Sequence, residues 1–148
     1  ATLAKKHGCH HVLVSGRGEL VPTVRKLTKN AGVAVVYDSV GADTFLPSLD
    51  CLAPLGMMVS YGNASGPVAP FSPLELSKRG SLFLTRPTLF TYIARRGDLD
   101  AMARDLFRAV TSRKVRIGVG QRYRLADVAR AHADLEARRT TGSTVLIP

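Results

Sequence analysis

Two rhythms of apolar residues run through this chain. Short apolar-rich runs occur at residues 11–14 (HVLV), 33–37 (VAVVY), 57–61 (MMVSY), 81–85 (SLFLT), 115–119 (VRIGV) and 144–147 (TVLI), the one at 33–37 continuous. Between them, apolar residues recur every three to four positions, the spacing of a helix with one buried face. Runs of the first kind are bounded by glycine and read as strands, and the β-branched run at 33–37 has the character of a parallel strand covered on both faces. The helical stretches are equally specific. Residues 1–7 read as the end of a helix stopped by Gly8. A turn, Ser15-Gly16-Arg17-Gly18, leads into a helix with Pro22 in its first turn and Val24, Leu27 and Thr28 on its inner face. Asp43 or Thr44 caps a helix carrying Phe45, Leu49 and Leu52, in which Pro47 is tolerated because it lies in the first turn. A short helix spans residues 74–78, and Asp98 caps an amphipathic helix with Leu99, Met102, Ala103, Leu106, Phe107 and Val110 on one side. A last helix presents Val128, Ala131, His132 and Leu135, with Arg138 and Arg139 in its final turn.

Strands alternating with helices predict an α/β fold with a parallel sheet. The densest signal lies at residues 35–66, which read as strand, glycine turn, helix, strand and second glycine turn. In open parallel sheets, ligands bind just beyond the carboxyl ends of the strands, so these two glycine turns are where function is expected. The Gly/Pro-rich segment that continues from the second turn, GNASGPVAPFSP at 62–73, is long enough to suggest a role of its own.

Composition narrows this picture only slightly. The 148 residues are 45% hydrophobic, enough for a domain with a real core. No run approaches the roughly 20 apolar residues of a membrane span, and the N-terminal residues lack the apolar stretch of a secretory signal, so a cytoplasmic setting is expected. Cys9 and Cys51 fall in an expected loop and an expected helix, with no Cys-x-x-Cys spacing, and are read as reduced thiols. The net charge of +10 is spread over the predicted helices without interleaved aromatics, which argues against a nucleic-acid surface. His7, Cys9, His10 and His11 cluster locally, but His10 and His11 would face opposite sides of a strand start, so no metal site is expected. Gly16-x-Gly18 and Gly118-x-Gly120 lack the third glycine of a dinucleotide fingerprint and read as turns.

Four segments carry a family resemblance: YDSVGADTF at 37–45, MVSYGNASG at 58–66, GSLFLTRPTL at 80–89 and the ending LEARRTTGSTVLIP at 135–148. In this order they resemble the C-terminal portion of the NADPH:quinone oxidoreductases related to zeta-crystallin, a branch of the medium-chain dehydrogenase/reductase family. The resemblance implies a partial Rossmann-type parallel sheet flanked by helices at residues 1–112. It also implies a segment at 113–148 whose strands belong to a GroES-like catalytic domain absent from this sequence. The first sheet strand, the glycine-rich pyrophosphate turn and the following helix would then lie upstream of Ala1, and the chain alone is expected to be inactive. Without that domain, the strands near 115–119 and 144–147 must pair with each other or with another chain, or lose order.

The resemblance further implies zinc-independent hydride transfer from NADPH to a quinone or enone. Ser39, Val40 and Gly41 would border the adenosine portion of the cofactor. Tyr61, Gly62, Asn63 and Ala64 would approach the nicotinamide side, joined by Leu84, Thr85 and Arg86 at the end of the 81–85 strand. Arg138 would contact the cofactor, a task suited to a guanidinium that forks onto two phosphate oxygens. Where many relatives carry a tyrosine near the 2′-phosphate, this chain has Ser15 followed by Gly16 and Arg17, with Arg17 the substitute phosphate ligand. Plainer readings stand beside these: turn chemistry for Ser39 and Asn63, and compensation of a helix dipole for Arg138. The 81–85 strand, with Leu82 and Leu84 on one face and Phe83 on the other, is expected to join two copies of the chain edge to edge. Two other functions remain open on sequence alone. One is a methyltransferase-like domain, suggested by Asp38-x-x-Gly41 and the PLGMMVSYG segment. The other is a non-catalytic module using the basic surface on nucleic acid.

Overall fold

A computed structural model describes residues 1–14 and 19–148. The chain forms two compact units, Ala1–Thr91 and Tyr92–Pro148.

In the first unit, α1 (Thr2–Lys6) and α2 (Leu20–Leu27) precede β1 (Val33–Asp38), α3 (Phe45–Asp50), β2 (Leu52–Ser60), α4 (Leu74–Lys78) and β3 (Phe83–Thr85). The short α5 (Leu89–Tyr92) follows. The three strands form a parallel sheet in the order β1-β2-β3. Phe45 and Leu49, one helical turn apart on α3, pack with Leu52 and Met58 of β2 and with Leu82 to make the core. Leu49, Leu52 and Met58 are completely buried. Along β2, Gly56, Met58 and Ser60 are buried while Met57 is exposed, the alternation that the pleat imposes on a sheet covered on one face.

The second unit holds α6 (Arg96–Thr111), β4 (Val119–Arg124), a 3₁₀ turn at Leu125–Asp127, α7 (Val128–Glu136) and β5 (Ser143–Ile147). β4 and β5 pair in parallel with α7 as their crossover, so the two C-terminal strands find each other.

Several expectations need correction. Residues 11–14 form no strand, and Leu13 and Val14 are exposed, because no described strand lies beside them to take their hydrogen bonds. Val35 and Tyr37 of β1 are exposed, so that strand is covered on one face only within this chain. Leu27 is exposed, and the inner side of α2 is Val24 and Thr28 with Val21. Leu52 does not end α3 but begins β2. The pairing jumps from Val33 opposite Leu52 to Val35 opposite Met57, which loops out the intervening residues and puts Leu55 at φ 62°. Asp98 is not a cap: it lies inside α6, ion-paired to Arg95 at 2.7 Å. The α6 face bearing Leu99, Met102, Leu106 and Phe107 is exposed rather than inward. Finally, the strand expected at 115–119 starts at Val119 and runs through the polar stretch to Arg124. Gln121 bonds Thr144 across the pair at 2.6 Å and Tyr123 bonds Asp134 at 2.8 Å. Those polar partners, invisible to an apolar-run criterion, set the strand.

Candidate functional site

Parallel strands end together. The register places Asp38 beside Ser60, and Val59 beside Thr85, so one row of residues closes the carboxyl ends of all three strands. Two loops leave this row, residues 39–44 after β1 and 61–73 after β2.

Asp38 organises the first loop. Its Oδ1 accepts the backbone N–H groups of Val40 at 2.7 Å and Gly41 at 3.1 Å, and its Oδ2 accepts the hydroxyls of Thr44 at 2.7 Å and Ser48 at 2.8 Å. Burial pushes this carboxyl up, but the hydrogen bonds from Thr44, Ser48, Gly41 and Val40 together outweigh it and hold it below its ordinary value. Thr44 therefore stands at the N-cap of α3 without capping through its side chain, because its hydroxyl is spent on Asp38.

The second loop is laced to the first. Tyr61 N–H donates to Asp38 O at 2.9 Å, Ala64 N–H to Ser39 O at 3.2 Å and Ser65 N–H to Val40 O at 2.8 Å. Ala42 N–H donates back to Gly66 O at 3.1 Å. Such lacing requires glycine. A Cβ on Gly62 would fall 2.3 Å from Ser39 O, and one on Gly41, whose φ is +93°, would fall 2.5 Å from Gly66 O.

Beside the loops lies a cavity of about 530 Å³. Phe45, Val68, Phe71 and Leu84 give it apolar walls, and Ser60, Asn63 and Arg86 supply its polar edge. The Phe45 and Phe71 rings meet at 4.9 Å between centroids, tilted by 53°. Arg86 is steadied by donating from Nη1 to Ser60 O at 2.8 Å, a bond that ties the end of β3 to the end of β2. An open apolar cleft with a few convergent polar groups suits a small organic ligand.

The structure thus brings Ser39, Val40, Gly41, Tyr61, Gly62, Asn63, Ala64, Leu84, Thr85 and Arg86 to one end of the sheet. Ser15 and Arg17 lie outside the described residues. Arg138 belongs to the second unit and lies beyond the end of α7, not in its last turn, at φ 56° with its side chain exposed. Sequence reasoning missed Asp38, Thr44 and Ser48 as the loop's fastening, and Phe71 as a wall. A Thr and a Ser spaced four apart after a strand-ending Asp were the available signal.

At the opposite end of the strands, Arg25 donates to the carbonyls of Asp50 at 2.7 Å, Leu52 at 3.0 Å and Asn30 at 3.1 Å. Arg79 pairs with Asp50 at 2.6 Å and with Glu75. No helix among the described residues is long and apolar enough to cross a membrane.

The chain matches the family model described as zinc-binding dehydrogenase over residues 7–146. It is 49% identical over its whole length to a quinone oxidoreductase of Pseudomonas aeruginosa, covering 46% of that protein. It is 43% identical to a 2-haloacrylate reductase of a Burkholderia species, again over its whole length and covering 45% of it. Among solved structures, Escherichia coli quinone oxidoreductase complexed with NADPH superposes with a TM-score of 0.92 at 43% identity, over 100% of this chain and 46% of that one. The chain therefore spans a little under half the length of these relatives. The match leaves the methyltransferase alternative without support. With the strand order, the loop lacing and the four resembling segments accounted for together, the chain belongs to the quinone oxidoreductase branch of the medium-chain dehydrogenase/reductase family.

Proposed function

We propose that this chain supplies the distal half of a cofactor site in an NADPH-dependent reductase of quinones or enones. The observation that carries the reading is the cavity at the strand ends, bordered by Asn63, Leu84 and Arg86, in a chain whose full length matches a quinone oxidoreductase solved with NADPH. The residues fit a nicotinamide: apolar walls for the ring, and Asn63 and Arg86 at the edge for its carboxamide. When bound, the cofactor supplies the hydride. The chain's own part is to orient. The laced loops hold Ser39, Val40 and Gly41 at the adenosine side and Tyr61, Gly62, Asn63 and Ala64 at the ring side, while Arg86 stays fixed by Ser60. Phe71, Val68 and Leu84 keep water from the reacting face. Arg138 adds a guanidinium for a cofactor phosphate, as does Arg17.

As part of the same reading, residues 1–112 belong to the nucleotide-binding domain and 113–148 return to the catalytic domain. The reaction needs no zinc, which elemental analysis of the active enzyme checks, and it takes place in the cytoplasm. Among the described residues β3 is one of the sheet's two edge strands, with Phe83 exposed, and through it two copies join.

The test is calorimetric titration of NADPH into this chain and into the chain extended upstream to the length of its relatives. The extended protein is expected to bind at micromolar level and to reduce a quinone, and the short chain to bind weakly or not at all. Absence of binding by the extended protein would overturn the reading.

A further inference from the structure

Every residue bordering the cleft at the strand ends belongs to the first unit, and among them Arg86 alone carries a charge. The others are apolar or, like Ser60 and Asn63, neutral, with no Asp or Glu in the lining. Arg86 is placed by the sheet. β3 ends at Thr85, paired to Val59, so the next residue leaves the strand beside Ser60, and its Nη1 donates to Ser60 O at 2.8 Å. That bond uses one of the five N–H groups of the fork.

No carboxylate among the described residues pairs with Arg86. The other described arginines of this unit are committed, Arg25 to three carbonyls and Arg79 to Asp50 and Glu75. Asp38, opposite Ser60 in the sheet, has both carboxylate oxygens taken by Val40, Gly41, Thr44 and Ser48. A second cleft, in the second unit, is bordered by Arg113 and Arg116, but no side-chain hydrogen bond among the described residues fixes either guanidinium there. Arg86 therefore combines two properties, a fixed place at the strand ends and a charge that no ion pair offsets among the described residues. A guanidinium is a permanent cation, so the charge of whatever enters the cleft decides how well it is held.

We propose, resting on the reading of the cleft as the nicotinamide site, that Arg86 makes the site discriminate between the two forms of the cofactor: it favours the neutral reduced ring and disfavours the cationic oxidised one. Holding the carboxamide, Arg86 stands one substituent away from the ring whose charge changes. It faces a neutral ring before transfer and a cationic one after, when the hydride with both electrons and one proton from water have passed to the acceptor. The site so retains NADPH and expels NADP+. By linkage, bound NADPH is a weaker hydride donor by the same factor by which the two affinities differ. Adenosine and phosphates are common to both forms, so their attraction to Arg86 cancels in the ratio of the two dissociation constants.

The test is calorimetric titration of NADPH and of NADP+ into the chain extended upstream to its relatives' length, unmodified and as Arg86→Met and Arg86→Lys. The unmodified protein is expected to hold NADPH about fivefold or more tighter than NADP+, the scale of one unit charge acting on another across a few ångströms of a solvent-rich cleft. Arg86→Met is expected to lower that ratio about fivefold, and Arg86→Lys, which keeps the charge, to hold it within about twofold. A residue that merely supports the loops would weaken both forms alike and leave the ratio where it was. That result overturns the proposal while the cofactor site stands, and so does loss of the ratio in Arg86→Lys as complete as in Arg86→Met. If Arg86→Met does not fold, Arg86→Gln, which keeps an amide donor for Ser60 O, is read against the same criterion. If the unmodified extended protein binds neither form, the nicotinamide reading itself falls and the discrimination with it.

Discussion

At the scale of single residues, Asp38 and Arg138 show two ways of holding an awkward group. Asp38 is buried and ionised, and stable only because four donors converge on it. Asp38→Ala removes the acceptor and leaves the hydroxyls of Thr44 and Ser48 unpaired, so a loss of about 3 kcal/mol or more in urea unfolding is expected. The sign of its pH dependence follows from the lowered carboxyl: the stability it contributes is fully present above its ordinary value of 3.8 and disappears as pH falls through the lower folded value. Asp38→Asn should therefore flatten the acid limb of the stability curve below about pH 4, measured by urea titrations across pH. Arg138 instead carries its side chain on a left-handed backbone, at φ 56°, closed by its N–H to Leu135 O, and Arg138→Gly is expected to raise the stability of its turn by about 1 kcal/mol while weakening NADPH binding. Opposite signs in thermal melting and in cofactor titration are the outcome to look for.

At the scale of elements, the lacing of the two loops makes one glycine decisive. Gly62→Ala sets a methyl group against Ser39 O, and overpacking against backbone costs about 1–3 kcal/mol and spreads the loops, which should lower both the melting temperature and NADPH affinity. Elements whose sequence pattern and neighbours agree were legible beforehand: the helix at Leu74–Lys78, the stop at Gly8, and the strand pair around Val36 and Met58. Elements that depend on distant partners were not. The apolar run at 11–14 has strand composition but no neighbouring strand, whereas the polar run Val119–Arg124 becomes a strand because β5 and Asp134 supply its bonds. The same holds for the site. Its location after two glycine turns was readable from the motif, but Asp38 looked like an ordinary strand end because four donors folding back onto it leave no periodic trace. Cys51 shows the contrast in reactivity: burial pushes its thiol up, outweighing the downward pull of Arg25, and Asp50 adds a smaller upward push. A thiol reagent is expected to modify exposed Cys9 at once and Cys51 only after denaturation, which mass spectrometry resolves.

At the scale of the whole molecule, β3 leaves one side of the sheet open, and Phe83 stands exposed on it. If two copies meet there, Phe83→Lys should shift the sedimentation of the extended protein toward the monomer without changing its circular dichroism, because a charge on an edge strand opposes pairing more than folding. The two ends of this sheet are secured by different chemistry. Arg25 and Arg79 clamp the incoming ends of the strands onto Asp50 and its neighbours, while the outgoing ends carry the laced loops and the cavity. Variation is therefore partitioned along the strand axis. Exposed Pro67, Ala69 and Pro70 can be varied together while Val68 and Phe71 stay against the core, and a library confined to those three would draw its folding from arginine contacts about a strand's length away, so most of its members should express as ordered protein.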